Sequence, residues 1–254
     1  MTRLIQALRG RFHFTLWPTL FTIPALAVLI GLGTWQMQRL AWKTALIEAR
    51  TAALSAPPSA LPDGLPAAKA LDFHPVAAEG TFLNGRELYI GAYSSRDVEG
   101  FQVVTPLRLD DGRILLVNRG WVPEARKEPA TRAAGEIAGK TRVEGILRLA
   151  TRPRSYLGAL VPVPENRPAD NFWFYVDIPA MARALDLDPG AVLPYYVEAG
   201  PAPNPGGFPL GGQTRISLPN DHLQYALTWY GFALTLLVIY FVYHYRRPET
   251  GDAA

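Results

Sequence analysis

The chain contains no cysteine, so metal chemistry falls to four histidines: His13, His74, His222 and His244. The same absence excludes a disulfide framework, thiolate zinc or copper sites, iron–sulfur clusters and a cysteine nucleophile. His222 stands apart by its neighbours, in LPNDHLQYALTWYGFAL, which runs from Leu218 to Leu234. Asn220 or Asp221 is a suitable helix N-cap, which places His222 in the first turn. The positive helix end disfavours imidazolium, whereas Asp221 favours it, so the charge state stays open. A neutral imidazole is the form that ligates a metal. Tyr225 and Trp229 follow on the same helical face, with the small Ala226 between them, which leaves a slot for a flat, apolar ligand. The same residues also describe an interfacial belt that merely anchors a helix. His13 and His244 sit at the inner ends of apolar segments and read as interfacial. His74, before Pro75 at a strand start, reads as a surface or core residue.

The elements that must position His222 are legible from hydropathy. Residues 16–38 carry no charged side chain, and 223–245 carry no formal charge. Each stretch, as a helix, spans roughly 35 Å, enough to cross a hydrocarbon core of about 30 Å. The predicted layout is a tail over 1–15, a span over 16–38, an outer domain over 39–222, a span over 223–245 and a tail over 246–254. Between Arg39 and Asn220 there are 20 basic and 19 acidic residues. Arg3, Arg9, Arg11, Arg246 and Arg247 lie beyond the two spans, so the net charge of +3 is a topology signal. Both tails are expected in the cytoplasm and the large domain outside. No concentrated basic face suggests nucleic acid. Gly31-Leu32-Gly33 resembles a signal-cleavage site, but the apolar stretch is longer than a signal peptide's core, so an uncleaved anchor is expected. Residues 1–15 leave little room for a transit peptide, which favours a bacterial inner membrane over a mitochondrial one.

Beyond the first span, Trp35, Arg39 and Trp42 recur at helical spacings of 4 and 3 and share one face. They serve either as an interfacial anchor or as a face for a partner. SAPPSALPDGLPAAK (55–69) reads as a linker that cannot form one regular helix, and PAPNPGGFPLGGQ (201–213) as a second one. Between them lie strand-like segments punctuated by Gly, Pro and Asp: FHPVAAEGTF, RELYIGAY, EGFQVVTPLRL, DDGRILLVNRGWVP (a turn at Asp111-Gly112, then the apolar, β-prone Ile114 to Val117) and TRVEGILRLA. One helix is expected over Asp177–Leu187. The fold class is therefore a membrane protein with two transmembrane α-helices flanking a mostly antiparallel β (α+β) extramembrane domain, a small barrel or sandwich.

No hydrolase elbow, phosphate loop, dinucleotide fingerprint or paired-carboxylate spacing appears, so no enzyme is expected. In VNRGWVP, Arg119 is either a site residue or a paired structural arginine, and Trp121 is expected to pack.

Four motifs in register carry a resemblance. LPNDHLQYALTWYGFAL, GTWQMQRLAWK, LLVNRGWVP and NFWFYVDIPAMA are similar to the signature segments of the Surfeit locus protein 1 family, the assembly factors of cytochrome c oxidase. Asp221 stands where Asn is as frequent, and the Pro-rich linkers match nothing. The resemblance implies a non-catalytic role in oxidase maturation, with haem a held transiently for insertion into the catalytic subunit. It implies His222 as the ligand of the haem iron. Tyr225, Trp229, Trp35, Arg39 and Trp42 would complete the pocket. The implied partners are the oxidase catalytic subunit, the haem a synthesis machinery and membrane lipid; a scaffold without haem is the alternative.

Overall fold

A computed structural model describes residues 12, 14–93, 98–153, 155, 162–213 and 220–245. His13 and the five tail arginines lie outside the described residues. The chain forms two compact units, Met1–Glu48 with Ser217–Ala254, and Ala49–Ile216.

The first unit is a helix pair. Helix α1 covers Leu16–Leu54 and helix α4 covers His222–His244; both are long and apolar enough to cross a membrane. α1 does not stop where its apolar run ends at Gln38. Ala, Leu, Gln, Lys and Glu are good helix formers, so they carry it onward to Leu54. The helices are antiparallel, because contacts that ascend α1 descend α4. Thr15 Oγ1 meets His244 Nε2 (2.8 Å), Thr19 Oγ1 meets the Tyr240 hydroxyl (2.8 Å), and Thr34 Oγ1 meets the Tyr230 hydroxyl (3.3 Å). These polar rungs join helices whose apolar surfaces gain little by association in lipid. Gly33 sits against the Tyr230 ring so closely that a Cβ there would overlap it.

The second unit is a closed five-stranded barrel. Its strands are β2 (Pro75–Phe82), β6 (Lys140–Arg148), β8 (Val192–Ala199), β5 (Ile114–Pro123) and β4 (Glu99–Leu109). Pairing of β2 with β4, Phe82 opposite Leu107, closes the ring. Every pairing in the ring is antiparallel except β5 with β8. Closure leaves the barrel strands without an open edge. Short strands extend the sheet: β1 (Ser59–Ala60) beside β2, β3 (Leu88–Tyr93) beside β4, and β7 (Phe172–Trp173) beside β3.

The apolar run of β5 has two destinations. Leu115 and Val117 fill the barrel with Val76, Leu107, Leu147 and Tyr195. Ile114 and Leu116 face outward, into a second core built with helix α3 (Ile178–Ala184) through Met181 and Ala182. A strand buried on both faces has no reason to alternate polar and apolar residues. Asp177 caps α3 by accepting from the Ala180 amide (3.0 Å). Burial pushes the Tyr195 phenol up to about 12, and its hydroxyl donates to the Pro62 carbonyl (2.8 Å).

Both linkers hold more structure than their composition suggests. The first contains β1 and a short helix, α2 (Gly64–Ala70), whose Ala68 is fully buried. In the second, Leu210 pairs with Trp121 through two backbone hydrogen bonds (2.8 and 2.9 Å). Gly120 permits that approach: its φ is +122°, and a Cβ would overlap the Leu210 carbonyl.

Candidate functional site

His222 opens α4, in the turn that adjoins α1. Asp221 stands at the N-cap position but makes no side-chain cap hydrogen bond, contrary to expectation. Asn220 instead donates from Nδ2 to Thr44 Oγ1 (3.3 Å), tying the entry of α4 to α1.

The half-buried His222 ring is aimed at Gln36. Nδ1 lies 2.6 Å from Gln36 Oε1. An amide oxygen can only accept, so with Oε1 facing the ring Nδ1 carries the proton, and Nε2 is bare when the ring is neutral. No partner for Nε2 occurs among the described residues. An acceptor on one nitrogen fixes the tautomer and orients the other nitrogen, the arrangement usual for metal-binding histidines. No cluster of three or more His, Asp or Glu able to hold a bare metal ion occurs among the described residues.

The other expected site residues fall around this contact. Trp35, Trp42 and Tyr225 are more than half exposed, and Trp229 is half-buried, with its ring edge-on to Phe232 at 6.1 Å. Ala226 is fully buried, so it lets the helices approach and does not open a slot. The Arg39 guanidinium lies over the Trp42 ring, 4.2 Å from its centroid. Helical phasing sets Trp35, Arg39 and Trp42 about 60–120° to one side of Gln36, and Tyr225 about 60° to one side of His222. In an antiparallel pair these displacements fall on the same flank of the seam. Trp42 and Trp229 lie in opposite directions along the pair from the His222–Gln36 contact, about 20 Å apart by helical rise, and the direct partner of His222 is Gln36.

Gln36 escaped the sequence reading. Its signal was a polar side chain near the end of an otherwise apolar span, where such groups require partners. Thr34 and Tyr230 carried the same signal. His244 differs from expectation: it is 1% exposed, Nδ1 donates to the Tyr240 carbonyl (2.8 Å), and Phe12 stacks on it at 5.1 Å. With its other nitrogen on Thr15, it has no nitrogen left for a ligand. His74 lies half-buried beside the Asp72 carbonyl (3.2 Å).

A histidine-bearing pair of membrane helices joined to a closed β barrel defines the class. Within that class the chain belongs to the SURF1 family, whose profile matches residues 23–234, a range that includes all six site residues. It is 39% identical over 233 residues to a SURF1-like protein of Monosiga brevicollis, covering 87% of this chain and 84% of that one. It is 38% identical over 244 residues to Surfeit locus protein 1 of Mus musculus, covering 90% and 75% of the two chains. The human Surfeit locus protein 1 is 37% identical over 238 residues, covering 87% and 75%.

Proposed function

We propose that the protein is an assembly factor for a haem-copper cytochrome c oxidase, holding haem a at the membrane surface for the oxidase catalytic subunit. Membership of the SURF1 family supports the assembly role. The single observation that carries haem binding is the His222–Gln36 contact, which fixes the ring and leaves Nε2 bare.

The residues present fit such a group. His222 Nε2 would hold the iron, with Gln36 holding the ring against rotation. Tyr225, Trp229, Trp35 and Trp42 offer aromatic surface to an apolar macrocycle. Arg39 offers a cation to propionates that stay outside the hydrocarbon. Haem a, when bound, supplies the iron and the apolar macrocycle that the oxidase uses. A histidine ligand of this kind would hold the iron and still allow its release. The haem a synthesis machinery would deliver to this site. The charge distribution supports cytoplasmic termini and an outer β domain, and we place the protein in a bacterial inner membrane.

The test is the visible spectrum of the full-length protein, purified in detergent from cells that make haem a. The wild type is expected to show a Soret band that disappears in His222→Ala. An unchanged spectrum in His222→Ala sinks the ligand assignment. A colourless wild-type protein that still co-purifies with the oxidase favours a scaffold, in which the His222–Gln36 bond only joins the helices.

A further inference from the structure

One end of the barrel holds a buried cation whose counter-charge is already taken. Arg119 is the extra residue of a bulge in β5, where Asn118 pairs with Val104 and Gly120 with Val103. It shares the inward parity of Leu115 and Val117, so its side chain enters the barrel end and is 2% exposed. Nη2 donates to the Gly135 carbonyl and to Asn204 Oδ1 (3.1 Å), and the guanidinium lies 4.8 Å from the Phe82 ring centroid. Nη1 has no hydrogen-bond partner among the described residues and stands 4.0 Å from Glu87 Oε1. Glu87 is itself committed: Arg132 donates to both of its oxygens, and the Tyr89 hydroxyl donates to Oε2 (3.2 Å). Two buried guanidiniums thus share one buried carboxylate. Burial pulls the Arg119 pKa down, Glu87 opposes that shift, Arg132 adds to it, and the exposed Glu136 opposes it weakly.

Arg119 also lines a cavity of about 230 Å³ at this end, formed where β2 and β8 finish and β6 begins. Phe82, Ile137, Val143 and Ala202 give it apolar walls. On its rim, Arg142 Nε already donates to Glu144 Oε1 (2.9 Å), so the rim adds no surplus charge. A buried ion without a full partner is costly, and a ligand that completes the pair recovers that cost.

We propose that this barrel mouth binds a small monocarboxylate with an apolar body, its carboxylate completing the charge of Arg119. The single surplus charge and the rim glutamate disfavour a phosphate dianion. The planar guanidinium suits a carboxylate. A free organic acid and the C-terminus of a partner chain share this chemistry. The site lies wholly within the β domain and does not rest on haem binding.

Calorimetric titration of the full-length, haem-free protein in detergent tests it. The probes are N-acetyl-leucine, acetyl-Ala-Ala-Leu, and the C-terminal amide of each. At least one acid is expected to bind about tenfold or more tightly than its amide, because the amide leaves the charge unanswered. Arg119→Gln removes that preference. Ala202→Trp, at an exposed wall position where folding is undisturbed, blocks the mouth and abolishes binding. Equal binding by both acids identifies a free acid as the occupant, and tighter binding by the peptide identifies a chain terminus. Failure of acids to exceed amides, or unchanged binding in Ala202→Trp, overturns the proposal.

Discussion

His222 and Gln36 make a two-residue device in which each side chain answers the other's cost. A glutamine amide in an apolar span needs a partner, and an imidazole needs one nitrogen protonated before it offers the other. Their 2.6 Å contact satisfies both. Gln36→Leu keeps the volume and removes the acceptor. The expected result is a haem a affinity about 10–100-fold lower, with the helix pair intact. Spectrophotometric titration reads it, and unchanged affinity would reduce Gln36 to a helix contact. Residue types alone favoured an anchor over a ligand at His222, since both uses accept His, Tyr and Trp at a membrane threshold and anchoring is the commoner one.

Among the elements, β5 carries the densest set of demands. Its first half packs two cores, its bulge turns Arg119 into the barrel end, and Gly120 admits the Leu210 backbone. Gly120→Ala must strain a φ of +122° and displace the Leu210 carbonyl. The expected loss is about 2–4 kcal/mol, read by urea unfolding of the full-length protein. Gly112 also has positive φ, +88°, but open space around it. Gly112→Ala is therefore expected to cost about 1 kcal/mol or less. Equal losses would show that backbone strain, and not the close approach, sets the cost. The strand itself was evident from its β-branched and aliphatic run. The bulge was not, because an extra residue in a ladder is defined only by the partner strand.

At the scale of the whole molecule, the absence of cysteine becomes an experimental advantage, since every introduced thiol is unique. Ala138 is exposed on the β domain. If the domain faces outward, Ala138→Cys is labelled by a membrane-impermeant maleimide in intact bacterial spheroplasts. Thr2→Cys, in the N-terminal tail, is then labelled only after lysis. The reverse pattern would invert the topology read from the tail arginines.

The sequence by itself determined the two apolar helices, the places of β2 to β6 and the family, because hydropathy and motif order are properties of neighbouring residues, but it did not mark β8 (Val192–Ala199), a strand of the barrel. Tertiary structure alone decided that Gln36 answers His222, that β2 meets β4 to close the barrel, and that the second linker pairs with Trp121. Each joins residues far apart in the chain, and such contacts are chosen by packing and charge satisfaction, which no local pattern records. The surplus charge at Arg119 belongs to the same set, since it exists only where the fold brings two arginines to one glutamate.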